Sequence, residues 1–209
     1  MNPSVDSLPD AASQAAALAR EALALRQAGR IDDAIRLYHE ILRLSPGHAN
    51  TLFRLGNAYR QQGNAQQAEE SYRAALGRDP AHDSAAGNLA ALLDERGRID
   101  EAIATLQAAM ERGPRLAEVP NNLSAYLARL RRHAESEQAL RRLVAMRPDD
   151  AGARAALASA VERQGRLEEA ATLFFDAIER RPDDPATLAD LGSVLATLGR
   201  LDEAGAACG

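Results

Sequence analysis

Residues 55–80, LGNAYRQQGNAQQAEESYRAALGRDP, decide the fold because small, aromatic and turn-forming residues stand in them at regular intervals. On both sides of Gly63, apolar and small side chains recur at the spacing of a helix face and never alternate as they do in a strand. Gly63 suits the left-handed position that ends a helix, and Pro80 stops a second helix. The stretch therefore predicts two short helices joined by a tight turn.

The same pattern recurs along the chain with a period of 34 residues. Counterparts of the Gly63 turn stand at Gly29, Gly97, Gly165 and Gly199, and Arg131 is the one exception in this series. Prolines at 46, 80, 114, 148 and 182 share the period, and two independent markers with one period indicate internal repeats. The predicted units are 15–48, 49–82, 83–116, 117–150, 151–184 and a partial 185–209. They follow an N-terminal extension, residues 1–14, that we expect to be partly disordered.

Three positions in each unit predict how its two helices pack. Position 8 and position 20 are always small, and small residues let two helices approach closely. Position 24 is large wherever the unit is complete, and we expect it to fill the space beside the small pair. The residues at position 8 are Ala22, Gly56, Ala90, Ser124, Ala158 and Gly192. Those at position 20 are Ala34, Ala68, Ala102, Ser136, Ala170 and Ala204, and those at position 24 are Tyr38, Tyr72, Leu106, Leu140 and Phe174.

The repeat resembles the tetratricopeptide repeat (TPR) family. The second unit carries the resemblance, with Leu55, Gly56, Tyr59, Ala68, Tyr72, Ala75 and Pro80 at the family's positions. The resemblance covers residues 15–209 and implies an all-α fold, an α-solenoid of helix-turn-helix repeats that form a right-handed superhelix with a concave groove. It also implies protein–protein binding and no catalysis.

The groove is expected on the face of each unit's first helix that lies opposite its packing positions. The expected peptide-binding residues on that face are Arg20, Phe53, Arg54, Asn57, Arg60, Asn88 and Asn122. Asn side chains can both donate to and accept from a peptide backbone, and Arg can bind a carboxylate. The alternative is that these side chains are solvated surface, and that Phe53 packs on a neighbouring helix and does not anchor a ligand.

Two resemblances within the family bear on this face. Arg54, Asn57 and Asn88 partly resemble the carboxylate clamp of co-chaperone TPR domains. This chain has Phe53, Glu118 and Asn122 where that clamp has basic residues. Asn88 and Asn122, both at position 6, resemble the Asn ladder in the TPR superhelix of O-linked N-acetylglucosamine transferase.

Composition excludes several other classes of function. The net charge is −5 and the two signs are interspersed, so no basic surface for nucleic acid or an anionic membrane is expected. Cys208 is the only cysteine, which excludes a disulfide framework and a cysteine zinc site. The sequence has no phosphate-binding loop and no nucleophile elbow, so no catalytic residue, cofactor or metal is expected. It has no secretory signal and no membrane-spanning run, which predicts a cytoplasmic protein.

Two parts of the chain depart from the repeat. In the fourth unit, Pro120 predicts a first helix that begins late, and Arg131 must adopt the left-handed turn at a cost of about 1 kcal/mol. The sixth unit stops inside its second helix, so Leu191, Leu195 and Leu201 are expected to be poorly covered.

The sequence thus predicts a non-catalytic scaffold that binds a peptide or protein in its groove. One alternative is that it is the N-terminal substrate-recruiting arm of a larger enzyme, since bacterial TPR arrays of this kind often precede a glycosyltransferase, sulfotransferase or hydroxylase domain. Another is self-association through the sixth unit.

Overall fold

A computed structural model describes residues 11–208, and within that range every regular element is a helix. The twelve helices of this range are α1 Ala11–Gln27, α2 Ile31–Leu44, α3 Ala49–Gln62, α4 Ala65–Arg78, α5 Asp83–Glu95, α6 Ile99–Glu111, α7 Glu118–Arg129, α8 His133–Met146, α9 Ala151–Glu162, α10 Leu167–Arg180, α11 Pro185–Thr197 and α12 Leu201–Cys208. They divide into two compact units, and the division falls between Thr105 and Leu106 in the sequence of α6. Within each unit, helices that are consecutive in the sequence pack on one another.

The turns inside the repeats have the backbone geometry that the sequence predicts. Gly63 has φ +86°, its N–H donates to the Arg60 carbonyl at 3.0 Å, and the Asn64 N–H donates to the Tyr59 carbonyl at 2.8 Å. This pair of bonds satisfies carbonyls at the end of α3 that the helix itself leaves free. The other predicted turn glycines also have positive φ, between 73° and 80°.

Arg131 adopts the same turn without a glycine. Its φ is +58°, its N–H donates to the Ala128 carbonyl at 3.0 Å, and the Arg132 N–H donates to the Leu127 carbonyl at 2.9 Å. The predicted strained turn is confirmed. The prediction that the first helix of the fourth unit begins late, because of Pro120, is confirmed only in part. Helix α7 begins at Glu118, two residues before Pro120.

The packing predicted for positions 8, 20 and 24 of each unit is confirmed. Tyr38, Tyr72, Leu106 and Phe174 are fully buried, and Leu140 is nearly so. The small partners beside them are buried too, with the exception of the half-buried Ala204. The contact is closest at Gly56, where an added Cβ would lie 2.6 Å from the Cδ1 and Cε1 atoms of Tyr72. The ring of Tyr72 therefore occupies the space that any side chain at position 56 would need.

The prediction that Leu191 and Leu195 would be poorly covered is wrong. Both are buried, and they belong to the core of the second unit together with Leu157 and Phe174. The core that buries them contains residues of α9 and α10 of the preceding repeat, and α12 also packs on α11. Leu201, on α12, is 69% exposed as expected.

The N-terminal extension falls largely outside the described residues. Residues 1–10 are not described, and residues 11–14 form the first turn of α1. No helix in the described range is long and apolar enough to cross a membrane.

Candidate functional site

Six of the seven predicted groove residues lie in the first unit. Arg20 is on α1, Phe53, Arg54, Asn57 and Arg60 are on α3, and Asn88 is on α5. Asn122 lies on α7 in the second unit. Asn57 and Asn88, on helices of neighbouring repeats, are in direct contact.

Tyr72, Asn57 and Asn88 form a hydrogen-bond cluster that joins α4, α3 and α5. The Tyr72 hydroxyl donates to Asn57 Oδ1 at 2.8 Å, and Asn88 Nδ2 donates to the same oxygen at 2.7 Å. Burial raises the pKa of the Tyr72 hydroxyl above its ordinary value, so the hydroxyl keeps its proton and its donor role at neutral pH. Two donors on one oxygen fix the orientation of both amides. In the described part of the chain, Asn57 Nδ2 and Asn88 Oδ1 have no hydrogen-bond partner.

Phe53 is half-buried and packs on two other rings. Its ring centroid lies 4.8 Å from that of His82 and 6.1 Å from that of Tyr72. His82 is held in turn, because its Nδ1 accepts the Ala85 N–H at 3.2 Å at the start of α5. The sequence left open whether Phe53 packs on the neighbouring helix, and the structure shows that it does.

The predicted arginines differ in their partners. Arg60 pairs with Glu95. Arg20 and Arg54 contact no carboxylate among the residues that the structure describes, and neither donates a side-chain hydrogen bond there. Arg54 is half-buried and Arg20 is exposed.

Sequence reasoning missed two buried carboxylates that link neighbouring repeats. Glu69 is 5% exposed and accepts from Arg98 at 2.8 Å and 2.9 Å and from Arg96 at 2.7 Å. It also pairs with Arg73. Burial alone would raise the pKa of Glu69, but the hydrogen bonds from Arg98 and Arg73 outweigh it and hold that pKa below 4.5.

The same arrangement recurs 68 residues later, at Glu137. Its carboxylate accepts from Arg166 at 2.9 Å through both oxygens and from Gln164 at 2.7 Å, and it pairs with Arg141. The sequence held a signal for these links. The arginines that bind the buried Glu of the preceding repeat, Arg98 and Arg166, each directly follow a turn glycine. These carboxylates hold one repeat to the next and face arginines, so we assign them a structural role.

The second unit has a cleft of about 500 Å³ between α7, α8 and α9. Small residues such as Ala125, Ala128 and Ala156 line it, and Asn121, His133 and Arg163 supply polar groups. The sequence analysis placed the groove residues mainly in the N-terminal half.

In the described residues, no group of three or more His, Cys, Asp or Glu side chains is placed to hold a metal ion.

Comparison with solved structures finds the same fold in several proteins. The MamA protein is 24% identical, with a TM-score of 0.64 over 80% of this chain and 92% of MamA. YrrB, a TPR protein with an unusual peptide-binding site, is 18% identical, with a TM-score of 0.68 over 80% of this chain and 86% of YrrB. PilF of Pseudomonas aeruginosa is 18% identical, with a TM-score of 0.66 over 96% of this chain and 90% of that one.

Sequence comparison identifies the family. No curated protein sequence matches the chain. One family model of the tetratricopeptide repeat matches residues 19–83 and 123–185, and a second matches residues 59–121. These matches run through both units and agree with the 34-residue period, the left-handed turns and the buried residues at positions 8, 20 and 24. The chain is an α-solenoid protein that belongs to the tetratricopeptide repeat family.

Proposed function

We propose that the first unit binds an extended peptide across α3 and α5, with Asn57 and Asn88 as its backbone-binding residues. Tetratricopeptide repeats serve in general as scaffolds for protein–protein interaction, and the proposal makes that role specific. The peptide-binding site of YrrB, which has this fold, is consistent with it.

The observation that carries the proposal is the fixed orientation of the two amides. Asn57 Oδ1 is used twice, by Tyr72 and by Asn88. What remains is the amide nitrogen of Asn57 as a donor and the carbonyl oxygen of Asn88 as an acceptor, which match the acceptor and the donor of a peptide group. Because the fully buried Tyr72 donates to Asn57, the pair is oriented before a ligand arrives, which lowers the entropy cost of binding.

The test is a selection of 12-residue peptides from a random display library on the whole chain. A selected peptide is then made synthetically, and its affinity is measured by fluorescence polarisation for wild type, Asn88→Ala and the control Gln66→Ala. Asn88 accepts no internal donor, so its loss leaves no buried group unpaired. Gln66 is an exposed amide on α4.

We expect Asn88→Ala to weaken peptide binding about fivefold or more, because a net hydrogen bond contributes about 1 kcal/mol. Gln66→Ala should bind as wild type does, and thermal unfolding should confirm that both variants fold. Equal affinities for all three proteins would refute this site.

A further inference from the structure

A smaller cleft of about 350 Å³ lies in the second unit, between the C-terminal part of α6 and the helices α7 and α8. It lies on a different side of α7 from the larger cleft between α7, α8 and α9. Leu123 and Leu127 line the smaller cleft, whereas Asn121 and Ala125 line the larger one. At about 100° per residue, these two pairs stand on opposite sides of the helix. The smaller cleft is therefore not on the predicted groove face.

The lining of the smaller cleft is apolar at its floor and polar at its rim. Leu123, Leu127 and Ala139 are buried, and the half-buried Met110 also lines the cleft. A ligand that fits this lining has an apolar stem and a polar end. None of the lining residues is basic, and the polar ones are Gln107, Glu111, Glu135 and Gln138.

Hydrogen bonds decide which polar groups of the cleft are left for a ligand. Gln107 Nε2 donates to Glu135 Oε2 at 3.2 Å, which orients the amide and leaves the Gln107 carbonyl oxygen as an acceptor. Glu135 also accepts two hydrogen bonds from Arg132 at 2.7 Å, so its charge is balanced. Glu111, one turn after Gln107 on α6, makes no ion pair with any described residue. The cleft therefore offers an oriented carbonyl and a negative charge that lacks a counter-charge.

We propose that this cleft binds the side chain of an arginine from a partner protein. The aliphatic stem of the arginine packs on Leu123 and Leu127, and its guanidinium donates to the Gln107 carbonyl oxygen and the Glu111 carboxylate. A guanidinium fits better than an ammonium, because it has five donors in one plane and is more weakly hydrated. The cleft is near the small end of ligand pockets, so it holds one long side chain and no folded element.

The net charge of the chain, −5, favours the approach of such a basic partner. Arginines that fill a pocket are also among the side chains that contribute most to the affinity of protein–protein interfaces. The inference does not rest on the proposed peptide site, because the two sites lie in different units and share no residue.

The test is an NMR titration of the whole chain with a capped tripeptide that has arginine between two glycines. Matched peptides carry lysine, or citrulline, which keeps the shape of arginine and lacks its charge. The signals to follow are the side-chain amides of Gln107 and Gln138 and the methyl group of Met110. The proteins are wild type, Glu111→Gln and the matched control Glu179→Gln, at an exposed carboxylate of α10 that makes no ion pair in the described residues.

We expect the arginine peptide to shift all three signals with a millimolar dissociation constant, because a single side chain makes few contacts. Glu111→Gln should weaken this binding about fivefold, and Glu179→Gln should bind as wild type does. The citrulline peptide should bind at least about tenfold more weakly than the arginine peptide. Thermal unfolding should be the same for the three proteins, since both carboxylates are exposed.

Gln138→Tyr tests whether the arginine enters the cleft or is only attracted by charge. Gln138 is exposed, lines the cleft and makes no side-chain hydrogen bond in the described residues, so a ring there should fill the cleft without unfolding the chain. The variant should abolish the shift of the Met110 methyl group although the charge of Glu111 remains.

Four results would overturn the inference. Equal affinities for the arginine and citrulline peptides would mean that the cleft does not recognise a cation. An equal or higher affinity for the lysine peptide would exclude a site made for a guanidinium. An equal loss in Glu111→Gln and Glu179→Gln would mean a general attraction to an acidic chain. Shifts confined to Asn57 and Asn88 would place the peptide in the first unit, in support of the proposed function alone.

Discussion

At the scale of single residues, Gly56 shows how a repeat position becomes fixed. A Cβ at this position would lie 2.6 Å from two atoms of the Tyr72 ring, which is fully buried and hydrogen-bonded. We expect Gly56→Ala to destabilise the chain by about 1–2 kcal/mol, because overpacking outweighs the better helix propensity of alanine. Chemical denaturation measures the difference.

Gly77→Ala is the matched control for this change. Gly77 lies inside α4, and an added Cβ there has no atom within 4 Å. Without a clash, only the propensity gain remains, so Gly77→Ala should stabilise the chain by up to about 1 kcal/mol. If the two alanine variants had the same stability, the contact with Tyr72 would not be what restricts position 56.

At Arg131 the backbone conformation determines how a substitution changes stability. At φ +58° an arginine adopts a conformation that costs it about 1 kcal/mol relative to glycine. Arg131→Gly should therefore raise the free energy of unfolding by about 0.5–1 kcal/mol, the remainder being lost to the greater freedom of glycine in the unfolded chain. Gly63→Ala, the reverse change at an equivalent turn with φ +86°, should lower it. A loss of stability in Arg131→Gly would contradict the strain.

At the scale of elements, ion pairs between helices support the hydrophobic packing. Glu69 on α4 accepts hydrogen bonds from Arg96 and Arg98, which lie between α5 and α6. We expect Glu69→Gln to destabilise the chain by about 1 kcal/mol at pH 7, a modest value because the Arg98 side chain is 34% exposed to solvent. Glu179→Gln, at an exposed carboxylate of α10, should have no measurable effect.

The pH dependence of this effect follows from the lowered pKa of Glu69. The folded chain binds a proton at Glu69 less readily than the unfolded chain, whose pKa is near the ordinary 4.5. The stabilisation is therefore complete well above pH 4.5 and is lost as the pH falls through 4.5 towards the lower folded pKa. The gap between wild type and Glu69→Gln should be constant from neutral pH to about pH 5.5 and shrink in more acidic solution. A gap that widened there would contradict the assignment.

At the scale of the whole molecule, the 34-residue period made the fold predictable from the sequence. It did not make the side-chain hydrogen bonds between repeats predictable. Gly56 and Tyr72 could be paired from the sequence, because their roles depend only on position within a repeat. The bond that joins Asn57 to Asn88 could not, because it depends on side-chain rotamers across two repeats.

Burial in the last repeat was mispredicted for a related reason. The sequence analysis expected Leu191 to be poorly covered because the sixth unit stops inside its second helix, whereas Leu191 is buried in one core with residues of α9 and α10. In a repeat fold each hairpin is stabilised mainly by its neighbours. The effect of a core substitution should therefore be greatest in the repeat that carries it.

Leu191→Ala tests this local stability. Leu191 is 1% exposed, so its truncation should cost about 2–5 kcal/mol, whereas Leu201→Ala, at a side chain 69% exposed, should stay within about 0.5 kcal/mol. Amide hydrogen exchange should show faster exchange in α11 and α12 of Leu191→Ala and a smaller change in α7 and α8. An equal increase over all helices from α7 to α12 would mean that the second unit opens as one cooperative block, and the nearest-neighbour account of its stability would be wrong.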